Sequence, residues 1–128
     1  MENKNQWPKA LRLRKNEDFN RVYRKGSASF NRDFQIVGCK NALSCSRYGI
    51  SLSKKFGKAH ERNRMKRQVK EIIRQNKTAF PKGYDFVILP RQKSKGKDYA
   101  WLEKSLFHCL SFWSPKDKAP SQNKTIKA

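Results

Sequence analysis

The chain has 128 residues, enough for one domain that buries its own core. Its 31 Lys and Arg against 10 Asp and Glu give a net charge of +21, and apolar residues make up only 36%. A body so charged repels itself until a polyanion neutralises it, which points to nucleic acid; a membrane partner would require an apolar span of about 18 residues or a basic amphipathic terminal helix, and the sequence has neither.

Residues 1–10 are polar apart from Trp7-Pro8 and read as a flexible arm. With no apolar signal-peptide core at this end, a cytoplasmic location is expected. Asn16 is a good helix N-cap, and Glu17 and Asp18 suit the positive end of a helix dipole. Phe19, Val22 and Tyr23 follow at i, i+3 and i+4, and Gly26 is a natural stop. The spacing predicts a helix over 17–25 with an aromatic stripe. Residues 34–39 read as a strand, with a short strand possible before Asn31; 41–47 reads as a loop. Tyr48, Ile50 and Leu52 alternate along a strand at 48–53, which runs into a basic loop at 54–58.

A strong helix is expected over 59–77. Met65, Val69, Ile72 and Ile73 fall on one face. At about 100° per residue, Asn63, Lys66, Arg67, Lys70 and Arg74 gather opposite, with Arg62 and Arg64 on the flanks. Residues 84–90 form the most apolar strand, expected to be central. A basic loop at 91–98 leads to a helix over 99–113, whose Leu102, Leu106, Cys109, Leu110 and Trp113 share a face. Residues 114–128 are rich in Pro, Lys and Ser and read as a disordered tail, leaving 11–113 as the single domain. The element order is that of an α+β sandwich with a small mixed sheet.

The chemistry sits at 54–74. Lys54, Lys55, Lys58, Arg62, Arg64, Lys66, Arg67, Lys70 and Arg74 stand there against Glu61 and Glu71. A solvated surface helix usually alternates sign to gain i,i+4 pairs, and nine bases to two acids forgo that gain. Arginine presents a planar fork of donors that bridges phosphate oxygens, so this helix is suited to track a phosphate backbone, RNA or DNA alike.

Several other chemistries are disfavoured. The cysteines, Cys39, Cys45 and Cys109, are odd in number and form no Cys-x-x-Cys pair, so free thiols are expected and no metal site. His60 and His108 are far apart, no catalytic triad, paired-carboxylate or Gly-rich phosphate motif occurs, and no protein-borne catalytic residue is expected.

The run Ser51-Leu52-Ser53-Lys54-Lys55-Phe56-Gly57-Lys58-Ala59, followed by Arg62-Asn63-Arg64-Met65-Lys66-Arg67, resembles the bacterial ribonuclease P protein subunit family. Lys15-Asn16-Glu17-Asp18-Phe19, Val22-Tyr23, Gly26 and Gly83-Tyr84-Asp85-Phe86-Val87 resemble it too, so the likeness covers about residues 11–110. It implies an α-β-β-β-α-β-α fold with a left-handed β-α-β crossover, which no local pattern would suggest. It also implies a partner, the catalytic RNA subunit, that holds the Mg²⁺ ions and removes the 5′ leader of precursor tRNA. The protein would bind the leader, favour precursor over product, broaden substrate acceptance and lower the Mg²⁺ requirement. Neither membrane nor DNA would be a partner.

By the same resemblance, Lys54, Lys55, Lys58, Arg62, Asn63, Arg64, Lys66, Arg67 and Lys70 would meet the RNA subunit and the adjoining substrate. Lys15, Phe19, Tyr23 and Val37 would line a cleft for the single-stranded leader, where aromatic rings stack on bases. From the pattern alone, Phe19 and Tyr23 read more readily as core. Three positions depart from the family pattern: Lys70 stands where Arg is usual, His60 where a small apolar residue is usual, and Val37 where an aromatic is frequent. A ribosomal-type RNA-binding module fits the charge and size as well. A DNA-binding regulator would need a helix-turn-helix, whereas here the basic helix follows a strand.

Overall fold

The computed structural model describes residues 12–115; the arm at 1–10 and all but the first two residues of the tail lie outside them. Three helices and four strands follow in chain order: α1 (Asn16–Lys25), β1 (Ser27–Phe30), β2 (Phe34–Lys40), β3 (Arg47–Ile50), α2 (Ala59–Gln75), β4 (Tyr84–Pro90) and α3 (Tyr99–Ser111). The expected α+β sandwich is the observed one. The possible strand before Asn31 is β1.

The sheet order is β1-β2-β4-β3. β1 and β2 form an antiparallel hairpin, β2 and β4 are antiparallel, and β3 and β4 are parallel. The hairpin turn is closed by Asn31, whose Oδ1 accepts from Asp33 N (3.0 Å) and Phe34 N (2.9 Å). This Asx geometry sets the register, and the register sets every face. On one face Phe34, Ile36, Phe86 and Ile88 pack against Met65, Val69, Ile72 and Ile73 of α2 and Leu102, Leu106 and Cys109 of α3. Each large apolar side chain buried there contributes roughly 1.5–3 kcal/mol. On the other face Val37 and Val87 pack against Val22 of α1 and Leu13, with Phe19, Cys39 and Leu89 around them. β4, between β2 and β3, is covered on both faces, which is why its sequence is so apolar.

The crossover from β3 through α2 to β4 is left-handed, and the hydrogen bonding shows why. Ile88 points toward α2, and its carbonyl accepts from Ser51 N, just past β3 (2.9 Å). In an L-residue of an upward strand, with the side chain toward the viewer, the backbone polar groups point right. β3 therefore lies to the right of β4, and the connection passes leftward across the front of the sheet, against the usual rule.

Two local expectations are corrected. Asn16 is the first helical residue rather than the cap; Lys15 holds the cap position without a side-chain cap bond. Glu17 and Asp18 in the first turn, and Arg24 and Lys25 in the last, answer the dipole instead. Gly26 ends α1 in extended geometry, not the left-handed one; a Cβ there would lie 2.6 Å from the carbonyl oxygens of Gly38 and Val22. At the end of α3, Trp113 Nε1 donates to Ser27 O (2.8 Å), and Ser27 Oγ donates to Ser114 O (2.6 Å).

Candidate RNA interface

The basic motif has a built shape. After β3 the chain makes one tight 3-10 turn at Lys54–Phe56, burying Phe56 and leaving Lys54 and Lys55 exposed. Lys58 N donates to Glu61 Oε1 (2.8 Å), a cap on the start of α2, and this bond together with Lys95 holds the Glu61 carboxyl below its ordinary range. A Cβ on Gly57 would lie 2.3 Å from that same Glu61 oxygen, so glycine keeps the cap open. Arg62 Nη1 donates to Gly57 O (2.8 Å), pinning the loop to the helix it precedes. A second basic segment is tied to the first. Gln92 Nε2 donates to Lys55 O, Lys95 Nζ lies 3.5 Å from Glu61 Oε1, and the same ammonium sits 6.0 Å from the Phe56 ring centroid.

Along α2 the expected division holds. Met65, Val69, Ile72 and Ile73 are buried, Asn63, Arg64 and Arg67 are exposed, and Arg62, Lys66 and Lys70 are half-buried. Burial, then the charges of Arg12 and Lys66, lower the Lys70 pKa, so these three cations share one locality. Arg12 comes from the segment bridged in parallel to Tyr48, beside β3. Arg74 differs: its Nε donates to Glu71 Oε1 (2.9 Å), so its charge is matched within the helix.

The four residues expected to line a cleft lie around α1 and the sheet face it covers. Lys15 is exposed at the head of α1, and Tyr23 is 44% exposed. Phe19 is half-buried, its ring tilted against Tyr23 at 6.4 Å between centroids. It is packed so closely on β3 that a Cβ on Gly49 would lie 2.6 Å from its Cζ. Phe19 is therefore partly core and Tyr23 is not. Val37 is only 6% exposed and belongs to the apolar floor beneath α1. Phe34, on the opposite face, is fully buried.

The family model for ribonuclease P matches residues 7–112. The ribonuclease P protein component of Finegoldia magna is 43% identical over 100 residues, covering 78% of this chain and 88% of that protein. The one from Thermotoga maritima is 38% identical over 116 residues, covering 91% and 92%. Among solved structures, the RNase P protein from Thermotoga maritima superposes with a TM-score of 0.75 at 37% identity, over 80% of this chain and 97% of that one. An RNase P protein mutant from Staphylococcus aureus gives 0.76 at 38%, over 80% and 87%. The chain belongs to the ribonuclease P protein family.

In this ribonuclease P protein, α1 is held over the sheet by a buried ionic hub. Asp85, fully buried on β4, accepts from Arg47 Nε (2.9 Å) and Nη2 (2.7 Å), from Asn41 Nδ2 (2.9 Å) and from Arg21 Nη2. Burial opposes ionisation of Asp85, but the Arg47 and Asn41 hydrogen bonds and the two arginine charges outweigh it and hold the carboxyl below its ordinary range. Arg21 also donates to Asp18 (2.9 Å).

The sequence reading missed several parts of this site. Arg12, Gln92 and Lys95 enter it through tertiary contacts that no local pattern announces. Two other acids are engaged elsewhere: Glu71 meets Arg74, and Asp33 accepts from Trp101 Nε1 (2.9 Å) and Ser105 Oγ (2.8 Å). Among the described residues no group of three or more His, Cys, Asp or Glu could hold a metal ion, and no helix is long and apolar enough to cross a membrane.

Proposed function

We propose that this chain binds the catalytic RNA subunit of ribonuclease P and the 5′ leader of precursor tRNA, and so promotes endonucleolytic removal of the leader in the cytoplasm. One observation carries the reading: α2 buries a single apolar face while its exposed remainder, the 54–58 loop and Arg12 form one basic surface around a loop locked in place. Lys54, Lys55, Lys58, Arg62, Asn63, Arg64, Lys66, Arg67 and Lys70 meet RNA phosphates there. Affinity from such contacts is steep in salt, because each neutralised phosphate releases counterions.

The leader lies on the sheet face beside α1. Tyr23 and the outer edge of Phe19 stack on unpaired bases, Lys15 meets phosphates, and Val37 is floor rather than platform. Stacking tolerates any base, which suits a protein that must accept many leaders. Asp85 and Asp18 are matched by arginines and Glu61 caps a helix, so these three carboxylates are committed within the protein. The Mg²⁺ ions and the hydrolytic chemistry belong to the RNA subunit. The protein's part is to bind, orient and stabilise.

The test is reconstitution. Adding the protein to the RNA subunit at moderate Mg²⁺ should stimulate cleavage of precursor tRNA and tighten precursor binding over mature tRNA. If cleavage is unchanged, the proposal fails.

A further inference from the structure

Phe30 is the most exposed large apolar side chain among the described residues, at 62%. It stands on β1, an edge strand. Ser29 donates to Cys109 O on the α3 side (2.9 Å), so strand alternation turns Phe30 to the α1 side. The register agrees: Ala28 pairs with Val37 and Phe30 with Gln35. Gln35 in turn pairs with Leu89, which packs against the core under α1. Phe30 is thus about 10 Å, two interstrand spacings, from the floor of the leader site, on the same surface.

The Arg91 guanidinium lies 5.8 Å from the Phe30 ring centroid. It is anchored: Arg91 Nη1 donates to Asn31 O (2.9 Å) and Arg91 N to Asp33 O (2.8 Å). A half-open aromatic ring beside a fixed cation is the pairing that receives an unpaired base and its phosphate. An exposed phenylalanine on a strand edge otherwise invites self-association. A second copy of a chain carrying +21 is repelled, whereas a polyanion is drawn in.

We infer that Phe30 and Arg91 form a distal stacking site for leader nucleotides that have already crossed the sheet from the α1 side. The inference rests on the leader reading above and extends it. The basic 54–58 loop leaves from β3, at the opposite edge of the sheet from β1, so Phe30 stands across the width of the sheet from it.

The test uses holoenzyme reconstituted with the RNA subunit and precursor tRNAs whose leaders lengthen one nucleotide at a time. In the wild type, affinity should rise with leader length and then level off. Phe30→Ala should level off earlier and bind the longest leader about tenfold more weakly. Its affinity for the shortest leader and for mature tRNA should match wild type, and Phe30→Trp should restore the full curve. A fluorescent base analogue placed along the leader should lose quenching in Phe30→Ala only at distal positions. If Phe30→Ala follows the wild-type curve, the distal site is refuted while the leader reading stands. If wild-type affinity ignores leader length, both fail. An equal loss for mature tRNA would assign Phe30 to the fold and overturn the inference.

Discussion

Replacing Asp85 by Asn tests the ionic hub that fixes α1. The substitution keeps the shape, removes the charge, and leaves Arg47 and Arg21 facing a neutral amide. Breaking a buried pair by removing one partner costs about 3–5 kcal/mol. Here the acid is fully buried but the Arg47 and Arg21 side chains keep 23% and 29% exposure, so water softens the loss. A cost of about 2–3 kcal/mol follows, which in a domain of this size lowers Tm by roughly 10–20 °C. The sign of the pH dependence is fixed by the depressed folded-state pKa. The stabilisation is fully present above the unfolded value of 3.8 and is lost as pH falls through the folded one. Urea denaturation of wild type and Asp85→Asn should therefore show a constant gap from pH 7 to about pH 5, narrowing below about pH 4. A gap that persists undiminished at the lowest pH at which the wild type still folds, or one under about 0.5 kcal/mol at pH 7, would refute the reasoning.

Tyr23→Ala removes an exposed ring and should weaken precursor binding by about 1–3 kcal/mol, with mature tRNA binding and Tm nearly unchanged; equal loss for both RNAs would assign Tyr23 to the fold. Phe19→Ala, in contrast, should lower Tm as well as precursor affinity, because its ring packs on Gly49, and thermal melts beside binding isotherms separate the two effects. Arg64→Gln with Lys66→Gln should weaken assembly with the RNA subunit and reduce the salt slope by about one to two units, read from titrations at several salt concentrations. Gly49→Ala drives a methyl into Phe19 and should destabilise by about 1–3 kcal/mol in urea melts.

Much of α2 was legible because a helix writes its buried face into a local period, and Met65, Val69, Ile72 and Ile73 obey it. β4 was equally legible, since a strand covered on both faces reads as one apolar run. What sequence could not supply is set by register and chirality. The faces of Phe30 and Phe34 depend on where the Asn31 turn places the hairpin, and one residue of slip would exchange them. The Asp85 hub draws Arg21, Asn41 and Arg47 from separate segments, with no spacing to announce it. Phe19, Val22 and Tyr23 matched one stripe, yet the helix rolls so that Val22 is fully buried and Tyr23 is open.

The position of β4 between β2 and β3 has a consequence for synthesis. The ribosome makes the strands from one end, and the strand that must stand in the middle of the row is made last. Until residue 90 has emerged, β3 has no neighbour in the sheet, and the 54–58 loop lacks the Gln92 and Lys95 contacts that shape it. Between the end of α2 at residue 75 and the end of β4 at residue 90, the strongly basic helix has been made while the strand that completes the sheet beneath it has not. Sheet closure is then what turns a run of cations into a surface with a fixed shape, so the geometry of the basic segment is acquired only when the last strand is in place.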